Sequence, residues 1–421
     1  VYIAVPIDIA TLEISDKDTS LEWLSNEENL RIVAGKIAAK INNSEKPVIL
    51  GDLLVKRFDA RIEYKEFVEK SRIPVTNFLM GTNLIDMDYD LYLGGYYSKY
   101  KNQIAQKYID ETDCLIAVGP VYTDLNSFGF NLPYKINNQI AIYGTYTFVD
   151  GIKYDDVKMS DVLEAVTELV DAKKIEIQKP TIGYELVEAN SEKLTSEYIY
   201  PRLQEFIKEN DILIAETGIV PHGIAPMKMP ASVEFQTQTL WGSIGWATPA
   251  TLGACIAKPN SRVVMITGEG SHQLTAMEIG NILRRELKPI IIVLNNGGYT
   301  IERVLSDDPN DKFNEIMQMN YAKFARVFDG DVWSTKVTTA EDFDKALKVT
   351  QIMNKMCYIE ICTENMDMPE LTKGLAENLK AMKSVKKDVV SEKNVVFHES
   401  KNSNNLTFET VVHKGIIEDE Q

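Results

Sequence analysis

Glu269 stands between two glycines in Gly268-Glu269-Gly270-Ser271, and further along Asn295-Asn296-Gly297-Gly298-Tyr299-Thr300 gathers amides, glycines and a hydroxyl. Together the two stretches offer one carboxylate (Glu269), one amide oxygen (Asn296), a glycine carbonyl (Gly298) and two hydroxyls (Ser271, Thr300). Every one of these is a hard oxygen, a set suited to a magnesium ion that also holds a diphosphate. Ser271 and Thr300 open helix-like runs, where free backbone N–H groups and the helix dipole attract phosphate. As plain helix caps they would look the same. Taken alone, Glu269 also reads as a solvated turn residue; its neighbours favour the metal.

The elements that must carry these turns are legible beside them. Residues 262–267 and 289–294 are apolar strands, each running straight into one turn, and 272–287 reads as a single amphipathic helix between them. In a parallel sheet this puts both turns at neighbouring strand carboxyl ends, where open α/β sheets bind ligands.

Gly-Glu-Gly-Ser, a helix, a strand and a closing Asn-Asn resemble the thiamine diphosphate motif, which has Gly-Asp-Gly-Ser at its start. The run Gly298-Tyr299-Thr300-Ile301-Glu302 resembles the 2-keto acid decarboxylases of the pyruvate and indolepyruvate type. Upstream, Ala215-Glu216-Thr217-Gly218 and Leu240-Trp241-Gly242-Ser243-Ile244-Gly245 fit the same family, in the same order. The resemblance covers all but the carboxy-terminal tail. It implies release of CO2 and an aldehyde from a 2-keto acid, with thiamine diphosphate and Mg2+ as cofactors.

Residue by residue, the resemblance makes Glu269, Asn296 and the Gly298 carbonyl the magnesium ligands. Gly270, Ser271, Thr300 and the Ile301 amide would surround the diphosphate, with Thr217 and the Ile219 amide on the other side. The Gly242 carbonyl, with Ser243 beside it, would hold the pyrimidine, and Ile244 would wedge the bent cofactor; alone, Ile244 would read as a core isoleucine. Glu302 would be the catalytic acid, kept protonated by apolar surroundings. Its other reading is a surface glutamate paired with Arg303 or Arg326. Ile301 and Leu305 would line the substrate pocket. Three positions depart from the family pattern: Glu269 replaces the usual Asp, Ile219 a Thr or Asp, and Met319 a Trp.

Around these motifs the chain reads as α/β, with two doubly wound parallel-sheet domains and a remnant strand of a third. Residues 1–20 resemble the end of an amino-terminal pyrimidine-binding domain and its linker, 21–172 a middle domain, 173–194 a linker containing Pro180, and 195–385 the diphosphate-binding domain. Residues 386–421 read as a polar tail without order. No Gly-x-Gly-x-x-Gly follows a middle-domain strand, and Gly94-Gly95 sits among tyrosines in an expected loop, so this domain is expected to be a scaffold without a nucleotide.

The amino-terminal domain of the family supplies a glutamate, an Asp and an adjacent His-His pair. Here the histidines are His222, His272, His398 and His413, none adjacent. The chain alone is therefore expected to bind cofactor and turn over poorly, and a homodimer or homotetramer would complete the site with the amino-terminal domain of a second subunit. A carboligating relative such as acetolactate synthase and a non-catalytic cofactor-binding or regulatory chain are the other readings.

A net charge of −17 argues against nucleic acid or an anionic membrane as partner, and leaves anionic keto acids to be captured by local positive groups. No apolar run approaches membrane-spanning length. The four cysteines, Cys114, Cys255, Cys357 and Cys362, lack metal-ligand spacing and read as buried thiols of a reducing, cytoplasmic compartment.

Overall fold

Short apolar runs bounded by turn residues become the centres of two sheets. In this computed structural model the described residues are 12, 23–97, 103–128 and 139–391, with 381–391 described for their backbone alone. The expected first strand of residues 1–8 lies outside them, as do residues 392–421.

The first sheet holds β1 (Pro47–Gly51), β2 (Val75–Asn77), β3 (Tyr92–Gly95), β4 (Cys114–Val118), β5 (Gln139–Ile142), β6 (Tyr146–Val149) and β7 (Ile152–Asp155). Their order is β3-β2-β1-β4-β5-β6-β7. The first five are parallel, and β1 and β4 are buried along their whole length because helices cover both faces. The pairs β5–β6 and β6–β7 are antiparallel. This edge was not expected from the sequence, and exposed Lys153 and Asp155 on β7 suit it. Gly94 and Gly95 lie in β3 rather than in a loop, and a side chain at Gly95 would collide with the Tyr97 ring.

The second sheet comprises β8 (Ile212–Ala215), β9 (Glu234–Thr237), β10 (Val263–Gly268), β11 (Ile290–Asn295), β12 (Val332–Val337) and β13 (Met356–Cys362). The order is β12-β13-β11-β10-β8-β9, and every pairing is parallel. From β8 the chain moves to one side and from β10 to the other, so the strand order reverses between them. That reversal opens a crevice at their carboxyl ends. In the first sheet the same reversal falls between β1 and β4.

Two α/β sheets of mainly parallel strands are thus what the sequence led us to expect. Both lie in one compact unit, Val1–Leu379, and one core joins Ile49 and Ile116 of the first sheet to Leu213 and Ile266 of the second. The second unit is Lys380–Gln421.

Two helix expectations need correction. Residues 272–287 are not one helix: Glu269–Gln273 and Glu278–Arg284 are separate, with a turn between. In the turn the Thr275 hydroxyl donates to the Gly245 carbonyl at 2.7 Å, and Leu274 N and Thr275 N bond three residues back. These contacts pull the chain out of the α-helical ladder. Leu274 (59% exposed) and Met277 (69%) mimicked a buried stripe in sequence yet face outward. At the other end, helix Glu370–Ser391 runs past residue 385, the expected end of the diphosphate-binding domain, and enters the expected tail. Its lysines, glutamates and alanines are good helix formers despite their polarity.

Candidate active site

The crevice between β8 and β10 widens into a cleft of about 370 Å³, lined by the turns after β8, β10 and β11. Thr217, Ile219, Ile244, Glu269, Gly270, Ser271, Asn296, Gly298, Thr300, Ile301 and Glu302 all reach its wall. Residues from four separated stretches of sequence therefore meet in one place.

Glu269 is buried at the end of β10, and its Oε1 accepts the Gly298 N–H at 2.6 Å. Burial pushes its pKa up to about 7, partly offset by N–H groups of Gly298, Glu269, Asn296 and Gly297. The extra methylene relative to Asp lets the carboxylate reach across and tie the two turns together. Beside it, buried Asn296 has an amide oxygen, Oδ1, with no hydrogen-bond partner. Such an orphan is costly unless something else binds it. A divalent cation fits: a carboxylate, an amide oxygen and the Gly298 carbonyl leave room for phosphate oxygens, as magnesium prefers. Among the described residues no group of three or more His, Cys, Asp or Glu could hold a metal, so this mixed oxygen set is the candidate.

The two asparagines divide the labour. Asn295 donates from Nδ2 to Glu360 at 2.9 Å, and its Oδ1 accepts Gly297 N–H at 3.3 Å. Glu360, fully buried in β13, also accepts from Lys336 Nζ and Ala322 N, each at 3.0 Å. Asn295 is thereby locked as scaffold and Asn296 is left free. Gly298 has φ +138°, and a Cβ there would strike the Asn314 carbonyl oxygen, which accepts Tyr299 N–H at 2.9 Å. Arg303, buried, donates to the Gly297 carbonyl at 2.8 Å and braces the turn from behind.

Behind the opposite wall, which Thr217 opens, Glu216 follows β8 directly and is fully buried. Its carboxylate accepts Thr217 N–H and Ala247 N–H, both at 2.9 Å, so it links the β8 turn to the start of helix Ala247–Ala257 and the wedge turn before it. Burial raises its pKa, with N–H groups of Ala247, Thr217, Trp246 and Gly245 opposing. Glu216 had no role assigned from the sequence; its position just after an apolar strand was the available signal. Tyr299 and Phe313, which do line the cleft, were missed. Phe313 comes from the single 3-10 turn Lys312–Asn314, too short for any periodicity to mark it.

Several expected contacts are arranged otherwise. The Thr217 hydroxyl donates to the Gln238 carbonyl, and the Thr300 hydroxyl to the Asn365 carbonyl at 2.8 Å. Neither has a proton to spare for phosphate. Ile244 reaches the cleft, whereas Gly242 and exposed Ser243 lie on the turn beside it and are not part of its wall. Leu305 packs on the core, and Ile301 does so while also lining the cleft. Glu302 is exposed at the cleft mouth rather than enclosed by apolar groups, because helix Thr300–Leu305 turns its other face inward. Arg303 is occupied by Gly297, and Arg326 donates to Ser334 at 2.7 Å, so the alternative surface pairing is not formed either.

Doubly wound sheets with a cleft at a strand reversal define an α/β fold that seats ligands there, and comparison with known proteins narrows the class. Residues 34–169 match the family described as thiamine pyrophosphate enzyme, central domain, and 220–361 match the C-terminal TPP binding domain. Pyruvate decarboxylase isozyme 1 of Saccharomyces cerevisiae is 31% identical over 388 residues, covering 88% of this chain and 68% of that protein. Pyruvate decarboxylase of Aspergillus fumigatus is 29% identical over 393 residues, covering 90% and 69%. A solved Mycobacterium smegmatis structure, described as thiamin diphosphate-dependent, shares the fold with a TM-score of 0.64 at 18% identity, over 84% of this chain and 68% of that one. The chain belongs to the thiamine diphosphate-dependent enzymes of the pyruvate decarboxylase family.

Proposed function

We propose that the protein decarboxylates a 2-keto acid, pyruvate, indolepyruvate or a similar one, to an aldehyde and CO2, using thiamine diphosphate and Mg2+. The observation that carries this reading is the buried, unpartnered Asn296 Oδ1 beside the Glu269 carboxylate, in a cleft shared by both turns. Glu269, Asn296 and the Gly298 carbonyl hold the metal. Backbone N–H groups around Gly270, Ser271 and Ile301 receive the diphosphate, and Ile244 supports the rings. When bound, the cofactor supplies the electron sink that lets CO2 leave. Glu302, at the mouth, holds or delivers the proton to the reacting carbon, and Ile301 with Phe313 shields it from water.

Residues 21–172 and 195–385 are assigned as the middle and diphosphate-binding domains. An exposed apolar rim of Trp241 (80% exposed), Leu274, Met277, Phe313 (65%) and Met317 (84%) supports assembly as a homodimer or homotetramer, with an amino-terminal domain of a second subunit on it. Four free cysteines suit a reducing cytoplasm, and no described helix is long and apolar enough to cross a membrane. The exposure of Glu302 is the observation that favours the other reading, a chain that binds cofactor without turning over.

Titration calorimetry with thiamine diphosphate, with and without Mg2+, is the test, followed by aldehyde assays on pyruvate, phenylpyruvate and indolepyruvate. Tight binding only with the metal is expected. Equal binding without Mg2+, or none, would overturn the assignment of Glu269 and Asn296.

A further inference from the structure

At the strand reversal of the first sheet, where doubly wound folds seat ligands, the protein has placed a lysine. Lys56, on helix Leu53–Arg57, directs Nζ to three backbone carbonyls: Met80 at 3.3 Å, Thr82 at 3.0 Å and Phe235 at 3.0 Å. An ammonium has three N–H donors, and all three are used. The side chain is half-buried along its stem while the ammonium is enclosed among carbonyls. Met80 and Thr82 follow β2, whereas Phe235 lies in β9 of the other sheet.

The surrounding groups close a network. Met80 N–H donates to buried Asn126 Oδ1 at 2.8 Å, and Asn126 Nδ2 donates to Asp52 Oδ2 at 2.8 Å. Two further middle-domain side chains grip the same stretch. Asn83 Nδ2 donates to the carbonyls of Pro230 (3.0 Å) and Val233 (2.8 Å), and the Thr123 hydroxyl donates to that of Thr239 (3.1 Å). The four acceptors these side chains reach on residues 230–239, the carbonyls of Pro230, Val233, Phe235 and Thr239, are all backbone, so these bonds fix the path of the chain rather than a rotamer. β9 is an edge strand, held by β8 on one side only. Beyond it Gln238 accepts Trp241 N–H at 3.1 Å, and the chain enters Gly242–Ile244.

We propose that Lys56 is a positioning residue that acts across the boundary between the two sheets: it sets the course of residues 230–244 and so holds Ile244 in the cofactor cleft. The middle domain then serves the site by steering the wedge, without touching any ligand. The effect on cofactor affinity rests on the reading of the cleft given above; the effect on the chain's course does not.

Hydrogen exchange of the ligand-free chain tests the course directly. In Lys56→Met, amides of residues 230–244 should exchange about tenfold faster than in the parent, the Phe235 carbonyl having lost its donor and its tie to residues 80 and 82, with β10 and β11 unchanged. No acceleration there, or equal acceleration in all strands, would overturn the proposal. Calorimetry gives the second readout. Thiamine diphosphate with Mg2+ should bind about tenfold more weakly to the variant, while Mg-pyrophosphate, which meets only the β10 and β11 turns, should bind as before. Equal weakening of both would point to general damage and defeat the proposal. If the parent binds neither ligand, the cofactor reading fails while the exchange experiment still decides the role of Lys56. Should Lys56→Met not fold, Lys56→Gln, which keeps two N–H donors, should show a smaller acceleration confined to 230–244; none would count against it.

Discussion

Two sheets of the same doubly wound kind sit in this chain, each with a crevice where its strand order reverses, and the two crevices have opposite fates. In the first, most of the protein's own groups answer one another: Lys56 spends its three N–H groups on carbonyls, and Asn126 joins Met80 to Asp52, whose Oδ1 alone in that chain of bonds lacks a partner. Burial pushes Lys56 down to about 7 and Asp52 up to about 7, so neither has kept an easy solvent-facing charge. In the second, Asn296 Oδ1 is left unanswered and a carboxylate sits beside it. Topology says where a ligand could bind; what sets the second crevice apart is that its unpaired oxygen stands with a carboxylate and a glycine carbonyl in an open cleft, while the first is crossed by a lysine tied to three carbonyls.

The largest effect should come from removing the acid of the open crevice. Glu269→Ala deletes the only carboxylate on the cleft wall besides exposed Glu302. Affinity for thiamine diphosphate with Mg2+ should fall by about a hundredfold or more, since losing a carboxylate that meets the metal itself exceeds the 10–100-fold typical of the groups behind it. Glu269→Asp should keep metal-dependent binding while losing the bond to Gly298. Calorimetry on both variants separates ligation from the tying of the turns. Unchanged affinity in the alanine variant would erase the contrast between the crevices.

Next comes the scaffold under Asn295. Glu360→Ala removes the acceptor of Asn295, Lys336 and Ala322 from a fully buried position. Breaking such a network costs about 3 kcal/mol, read by denaturant unfolding. Because Lys336 is half-exposed, its share is small. Cofactor affinity should fall as well, the Asn296 turn having lost its brace. Stability lost with affinity intact would show that the turn holds itself.

How much of this contrast could be read from residues alone differs between the sheets. The second crevice was legible, because Gly268-Glu269-Gly270-Ser271 and Asn295-Asn296 are local strings whose residue types have few other uses together. The first was not. Lys56 lies on a five-residue helix, and its partners are backbone carbonyls of residues 80, 82 and 235, which no sequence pattern marks. Buried strands β10 and β11 were found within a residue, since short continuous apolar runs bounded by turn residues read as buried strands. The turn at 274–277 failed for the converse reason: Leu274 and Met277 continue a helical period, while what breaks the helix is a hydroxyl reaching Gly245, distant in sequence. Likewise nothing in Thr300-Ile301-Glu302 tells which face of a short helix turns outward.

A smaller effect separates the crevices by pH. Glu269 is raised from 4.5 to about 7, chiefly by burial. A carboxyl with a raised folded pKa favours the folded state below its unfolded pKa, and that advantage is lost as pH rises through the folded value. The stability of the parent relative to Glu269→Gln should therefore fall as pH rises from about 4.5 to 7, by up to about 3 kcal/mol. Ligation works the other way, because the metal needs the carboxylate. With Mg2+ and thiamine diphosphate present, melting temperatures measured from pH 5 to 8 should show stabilisation growing with pH in the parent and flat in the variant. A flat profile in the parent would mean Glu269 does not meet the metal.

The smallest effect is the most discriminating for the site's inner wiring. Thr300 was expected to give its hydroxyl to phosphate, yet that proton is donated to the Asn365 carbonyl at 2.8 Å, pinning helix Thr300–Leu305 to the loop after β13. A hydroxyl has one proton, so it cannot serve both acceptors at once. If the bond to Asn365 persists when ligand binds, Thr300→Val should cost about 1 kcal/mol of stability while changing cofactor affinity by less than about threefold. If affinity instead drops tenfold or more, the hydroxyl has swung from carbonyl to phosphate. Thr300 would then be a group of the second crevice that stays paired internally until a ligand offers the better acceptor.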